Sequence, residues 1–185
     1  MKREILLLLL GVSSVLTVVT DAAPDLEADV MRQLPDCDPF PYNAYSGYLD
    51  VTANKSLHYV FVQSMSDPVN DPLLIWFNGG PGCSSLLGFF QENGPWIIDD
   101  GETYIKENPY PWNVRANVMY LESPAGVGYS WAENREDNVF DDMTQSYDTY
   151  AALVEFYKKF PTFLNHDLYI SGESYAGIYV PYLAW

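Results

Sequence analysis

Basic residues are scarce in this chain. Nine Lys and Arg stand against 25 Asp and Glu, a formal net charge of −16 over 185 residues. Nucleic acid calls for a basic face that neutralises phosphates, so the charge balance argues against that class of partner. It fits an acidic compartment, where part of the carboxylate excess would titrate. Histidine occurs twice, at His58 and His166, and cysteine twice, at Cys37 and Cys83. The cysteines could pair with each other, or each with a cysteine the sequence does not hold. There is no internal repeat or low-complexity tract, and only one apolar stretch is long. Apolar and aromatic residues are abundant, 48% and 16%. That is enough for a packed core at this length and too much for disorder over most of it.

The long apolar stretch lies at the start. Lys2 and Arg3 precede residues 5–19, which are apolar or small almost throughout, and "TDAAP" follows. The run is short for a bilayer span, and Thr20 and Ala22 put small residues at the two positions a signal peptidase reads. The pattern predicts a signal peptide over residues 1–22, cleaved before Ala23, and no membrane span thereafter. The secretory route is oxidising, and it makes Asn54 of Asn54-Lys55-Ser56 a candidate N-glycosylation site.

Residues 25–32 have the composition of a short acidic helix, and 35–41 that of a loop. "YSGYLDV" and "SLHYVFVQS" alternate aromatic and β-branched residues around "TANK", which predicts a hairpin. "PLLIWFN", "ANVMYLES" and "DLYIS" are nearly continuous apolar runs, which predict strands buried on both faces. Between the last two, Asp141 or Asp142 caps a helix whose Met143, Tyr147, Tyr150, Ala151, Val154 and Tyr157 fall on one apolar face; Pro161 ends it. A hairpin followed by buried strands separated by helices reads as α/β with a mostly parallel sheet.

The last strand runs into "GESYAG", residues 172–177. A serine hydroxyl is a poor nucleophile until a base takes its proton. Hydrolases that use one hold it on a tight strand-to-helix turn, with small residues two before and two after. Gly172 and Ala176 occupy those positions, one methyl group away from G-x-S-x-G. The hexamer equally suits an ordinary junction with Ser174 as a helix N-cap. "WFNGGPGCSS", residues 76–85, favours the first reading. It closes a buried strand with Gly79 and Gly80, which leave backbone N–H groups unobstructed, as an oxyanion hole requires. It lacks the Gly-Lys-Ser/Thr ending of a phosphate loop.

Taken together, "WFNGGPGCSSLLGFFQENGPW", "NPYPWN", "ANVMYLESPAGVGYSW" and "LYISGESYAGIYVPYLA" resemble the serine carboxypeptidases, from about Tyr45 to Trp185. The resemblance implies the α/β-hydrolase fold, a mostly parallel central sheet with flanking helices. Here it would be incomplete: residues 23–185 match the N-terminal part of the domain, truncated after the nucleophile elbow. It implies residence in a lysosome or vacuole or outside the cell, and release of C-terminal residues from peptides at acid pH through an acyl-enzyme on Ser174. The N–H groups of Gly80 and Tyr175 become the oxyanion hole. Asn78, Gly79, Glu92 and Glu173 match positions that hold the substrate's terminal carboxylate; Leu87 and Gln91 match positions beside the departing residue. Cys83 matches a cysteine that pairs far downstream. The implied partners are peptides with a free C-terminus. A homodimer is compatible with the resemblance, and neither cofactor nor metal is implied.

Two glutamates around a carboxylate repel it unless they are protonated or share protons. Neighbouring carboxyls and burial both favour the protonated form, and a protonated carboxyl donates a hydrogen bond. Exopeptidase action favouring acid follows. The triad of this fold runs Ser, Asp, His along the chain, and neither Asp nor His follows Ser174. The sequence therefore predicts half of a peptidase site, inactive as it stands. The alternatives are an acyltransferase on the same scaffold and a non-catalytic secreted binding or protective fragment. The carboxylate-holding residues favour the peptidase, because an ester donor need not carry a free C-terminus.

Overall fold

The computed structural model describes residues 26–99, 101–138 and 140–185; the signal peptide expected over residues 1–22 lies outside them. The strands are β1 (Val30–Met31), β2 (Ala44–Thr52), β3 (Lys55–Val62), β4 (Leu73–Phe77), β5 (Trp96–Ile97), β6 (Lys106–Glu107), β7 (Asn117–Leu121), β8 (Trp131–Ala132) and β9 (Leu168–Gly172). Among the described residues there are two α-helices, α1 (Asp142–Lys159) between β8 and β9 and α2 (Ala176–Ala184) after β9. The main sheet has the order β1-β2-β3-β7-β4-β9, with β8 beside β3. It is antiparallel from β1 across to β7 and parallel from β7 through β4 to β9.

The predicted hairpin is β2–β3, in register from Ala44 opposite Val62 to Asp50 opposite Ser56, with a bulge before Thr52 meets Lys55. Alternation along the buried strands feeds two cores, because successive strand residues face opposite ways. On one face Tyr59, Phe61, Ile75 and Met119 pack with Ala152 and Phe156 of α1. On the other, Val60, Val62, Trp76, Val118 and Tyr120 pack with Phe89 and Trp96. The expected acidic helix is reduced to one 3-10 turn, Leu26–Asp29, after which β1 pairs with β2.

Two expectations fail. "DLYIS" forms β9, but it is not buried on both faces. Among the described residues β9 pairs with β4 alone, and Tyr169 is 57% exposed. The helix α1 has the predicted cap, Asp141, whose carboxylate accepts from Thr144 N–H at 2.7 Å, and it stops before Pro161. Its buried face is not the predicted one, however. Gln145, Ser146, Asp148, Thr149, Ala152, Leu153 and Phe156 point inward, while Tyr147 and Tyr150 stay 66% and 61% exposed. Most of the inward polar groups are tolerated because they are bonded, Gln145 Oε1 being the exception. Gln145 Nε2 donates to Ser123 Oγ and Thr149 Oγ1, both at 3.0 Å. Lys55 Nζ meets Asp148 at 2.8 Å, and Ser146 Oγ donates to the Tyr182 carbonyl.

Candidate active site

Phe77 of β4 lies opposite Gly172 of β9 in a parallel pairing, so the loops leaving their C-terminal ends emerge side by side. Open α/β sheets place their ligands at such ends. From β9 the chain turns through Glu173 and Ser174 into α2. Ser174 is exposed and has φ of +56°, a left-handed conformation that serine seldom adopts and that concentrates at functional sites. The turn is closed by Ala176 N–H to the Glu173 carbonyl and Gly177 N–H to the Ser174 carbonyl, each 3.0 Å. Ser174 is not an N-cap: the cap position is Tyr175, and no side chain caps α2.

From β4 the chain enters Asn78-Gly79-Gly80, which lies against this elbow. A Cβ on Gly79 would collide with Tyr175 N and stand 2.8 Å from the Glu173 carbonyl. Gly80 has φ of +104°, which glycine alone adopts freely. The Gly79 N–H is occupied, donating to Glu173 Oε1 at 3.1 Å. The N–H groups of Gly80 and Tyr175 carry no hydrogen bond to the described residues. Of the two glycine N–H groups on this loop, Gly80 is therefore the one open to an oxyanion.

Asn78 is buried and joins the two glutamates. Its Oδ1 accepts from Trp76 Nε1 and Gly88 N–H, both at 2.9 Å. Those two donors fix the amide orientation and turn Nδ2 toward Glu92 Oε1 at 2.7 Å and Glu173 Oε1 at 3.4 Å. Residues 14 and 95 positions apart from Asn78 are thus drawn to one amide. Glu92 is exposed and Glu173 half-buried, so it is the shared amide, and not burial, that brings the carboxyls together. Leu87 and Gln91 line a recess of about 280 Å³ with Ser84, Leu86, Phe90 and Ile98. Gln91 lies in a π-helical turn, Gly88–Glu92, whose N-cap is Leu87.

Cys37 and Cys83 are free thiols, both half-buried, and are not joined to each other. Burial and the flanking carboxylates of Asp36 and Asp38 push the Cys37 thiol up. The histidines are engaged away from Ser174. His166 Nδ1 bonds the Asp71 carbonyl at 2.7 Å, beside the N-terminal end of β9. Ser174 follows the C-terminal end, five residues of strand away, roughly 16 Å. His58 is bonded to Ser46 and Glu122.

Two contacts escaped the sequence reading. Tyr175 OH donates to Asp142 at 3.1 Å, which ties the elbow to the start of α1. Glu122, fully buried at the end of β7, accepts from the Ser84 hydroxyl, the Tyr129 N–H at 2.8 Å and His58 Nδ1 at 2.9 Å. It anchors the far end of the glycine loop. The only hint was a carboxylate at the close of a buried run, which needs partners to be tolerated.

Comparison with known proteins supplies the context. Residues 35–185 match the family model described as serine carboxypeptidase. The mouse lysosomal protective protein is 46% identical over 165 residues, covering 89% of this chain and 34% of its own length. Serine carboxypeptidase-like 20 of Arabidopsis thaliana is 40% identical over 179 residues, covering 92% of this chain and 36% of its own. Among solved structures, a prohormone-processing carboxypeptidase of Saccharomyces cerevisiae, Kex1, superposes with a TM-score of 0.71 at 26% identity, over 87% of this chain and 38% of that one. The sheet, elbow and helices are those of an α/β-hydrolase. The chain spans about a third of the length of the curated relatives it matches.

Proposed function

Because the chain belongs to the serine carboxypeptidase family, we propose that it carries the nucleophile and the carboxylate-binding half of a peptidase site that removes C-terminal residues at acid pH. The observation that supports this most is the Asn78 amide, held toward both Glu92 and Glu173 next to a serine in a left-handed turn. Ser174 Oγ attacks the scissile carbonyl. The N–H groups of Gly80 and Tyr175 receive the negative charge that develops on its oxygen. The terminal carboxylate of the peptide accepts from whichever glutamate carries a proton, and the Asn78 amide holds both glutamates in place for it. The recess beside Leu87 and Gln91 takes the departing side chain.

Ser174 needs a base and a carboxylate to orient it, and His58 and His166 are committed elsewhere. On this reading the 185 residues by themselves label poorly with a fluorophosphonate at Ser174. Asn54 stands exposed in the β2–β3 turn. That and the sequence of residues 1–22 support a secretory route. Among the described residues no helix is long and apolar enough to cross a membrane.

The test is the pH dependence of KM in a polypeptide that also supplies the base. Loss of a donated proton at the glutamates exposes two anions to a third. A charge-assisted hydrogen bond is worth about 1.5–3 kcal/mol, so KM for peptides should rise roughly ten- to a hundred-fold from acid to neutral pH. Glu92→Gln with Glu173→Gln keeps a neutral donor at all pH values and should flatten that rise. A double variant that retains the steep profile removes these two residues from carboxylate binding.

A further inference from the structure

Three residues outside the site just described form a hydrogen-bonded line. Ser46 of β2 and His58 of β3 are diagonal neighbours on one sheet face, since Ser46 is opposite Val60 and Tyr48 opposite His58. Ser46 Oγ lies 3.0 Å from His58 Nε2. His58 Nδ1 lies 2.9 Å from Glu122 Oε2. That same carboxylate also accepts from the Tyr129 N–H and the Ser84 hydroxyl. Burial pushes the Glu122 carboxyl up, but the bonds from His58, Ser84 and Tyr129 outweigh it and hold it below the ordinary carboxylate value. In the tautomer with its proton on Nδ1, His58 donates to Glu122 and turns its Nε2 lone pair to the Ser46 hydroxyl. The rings of Tyr48 and Tyr129 pack edge-on against the imidazole at 5.4 and 5.3 Å and fix its plane.

Ser46 and His58 border a cavity of about 420 Å³, walled by Met31, Leu34, Val60, Phe89 and Phe90. That volume falls within the range of small-molecule sites, roughly 300–1,000 Å³, and a mostly apolar wall with a few convergent polar groups is their usual make-up. Nucleophile, base and orienting carboxylate in this order define an activated serine.

We propose that Ser46, His58 and Glu122 form a second acyl-transfer site, independent of Ser174, that takes esters of medium-chain fatty acids with the acyl chain in the apolar cavity. Ser46 Oγ bonds to the ester carbonyl carbon as its proton passes to His58 Nε2. The carbon–oxygen bond to the leaving group then breaks, and His58 returns the proton to the departing oxygen. Water repeats the exchange: His58 takes its proton, the hydroxide oxygen bonds to the acyl carbon, and Ser46 leaves with the proton restored. The products are one carboxylic acid and one alcohol. Ser46 sits in mid-strand without a glycine loop beside it, so the donors it favours are aryl esters, whose leaving groups depart most readily. Glu122 is a positioning residue in this scheme.

The test needs only the 185-residue chain. The 185-residue chain is treated with an octyl fluorophosphonate, and the labelled peptide is mapped by mass spectrometry. The label is expected on Ser46, and it should persist in Ser174→Ala. p-Nitrophenyl octanoate hydrolysis should vanish in Ser46→Ala and fall at least about a hundred-fold in His58→Gln, as loss of a general base does. Site mapping on the unaltered chain decides the matter even if a variant misfolds. A chain that leaves Ser46 unlabelled overturns the proposal, and so does a folded Ser46→Ala that keeps the esterase rate. Because Ser46 and Ser174 lie on different peptides, either reading can fail without the other.

Discussion

Asn78 uses its whole amide. Both N–H groups point at carboxylates, and the oxygen accepts from an indole and a backbone N–H. Only a carboxamide supplies two donors and a doubly accepting oxygen from one side chain. Gly79 beside it is set by close approach. Gly79→Ala should push the loop off the elbow and cost about 1–3 kcal/mol, the usual range for overpacking, read from the urea midpoint. Glu122 offers a pH test. Its carboxyl is held below the ordinary value, so its contribution is full above the unfolded-state pKa and is lost as pH falls through the lower folded value. Glu122→Gln should therefore reduce stability at neutral pH by about 1–3 kcal/mol, and the gap to the unaltered chain should close in acid. A gap that is constant with pH would mean that Glu122 acts through shape alone. The contrast between these residues explains what was legible. Gly79, Gly80 and Ser174 sit in contiguous motifs whose local geometry is written in residue type. Glu122 and His58 are 64 positions apart, and no local pattern pairs them.

At the scale of elements, β2–β3 and β4 follow from alternation and continuous apolar runs, because burial of strands is what those patterns encode. The helix α1 misleads for a physical reason. Its large apolar residues are on the outer face, while the inner face uses Gln145, Ser146, Asp148 and Thr149, whose burial is paid for by hydrogen bonds and the Lys55 pair. Periodicity counts hydrophobes and does not see bonded polar groups. Substitutions should separate the two faces. Phe156→Ala should cost about 3–5 kcal/mol, as for a buried aromatic. Tyr147→Lys should stay within about 0.5 kcal/mol, as for an exposed site. Thermal melts of the two variants side by side check the assignment; equal losses would contradict it.

At the scale of the whole molecule, apolar side chains remain exposed on two elements. Tyr169 and Leu168 on β9 and Tyr147 and Tyr150 on α1 are exposed, and β9 has a free edge among the described residues. Exposed edges and apolar patches template association. The 185-residue polypeptide should show a broad unfolding transition that shifts with concentration; a sharp transition independent of concentration would contradict this. Asn78, Glu92 and Glu173 are proposed to form the grip on a terminal carboxylate, and binding tests that without any catalytic base. Trp76 donates to Asn78, so its fluorescence can report on the site in dilute solution. The measurement is a titration with a blocked dipeptide and with its C-terminal amide, at pH 5 and at pH 7. The free acid should bind about ten- to a hundred-fold more tightly than the amide at pH 5, and the difference should shrink or reverse at pH 7. Equal affinities for acid and amide at pH 5 would contradict it.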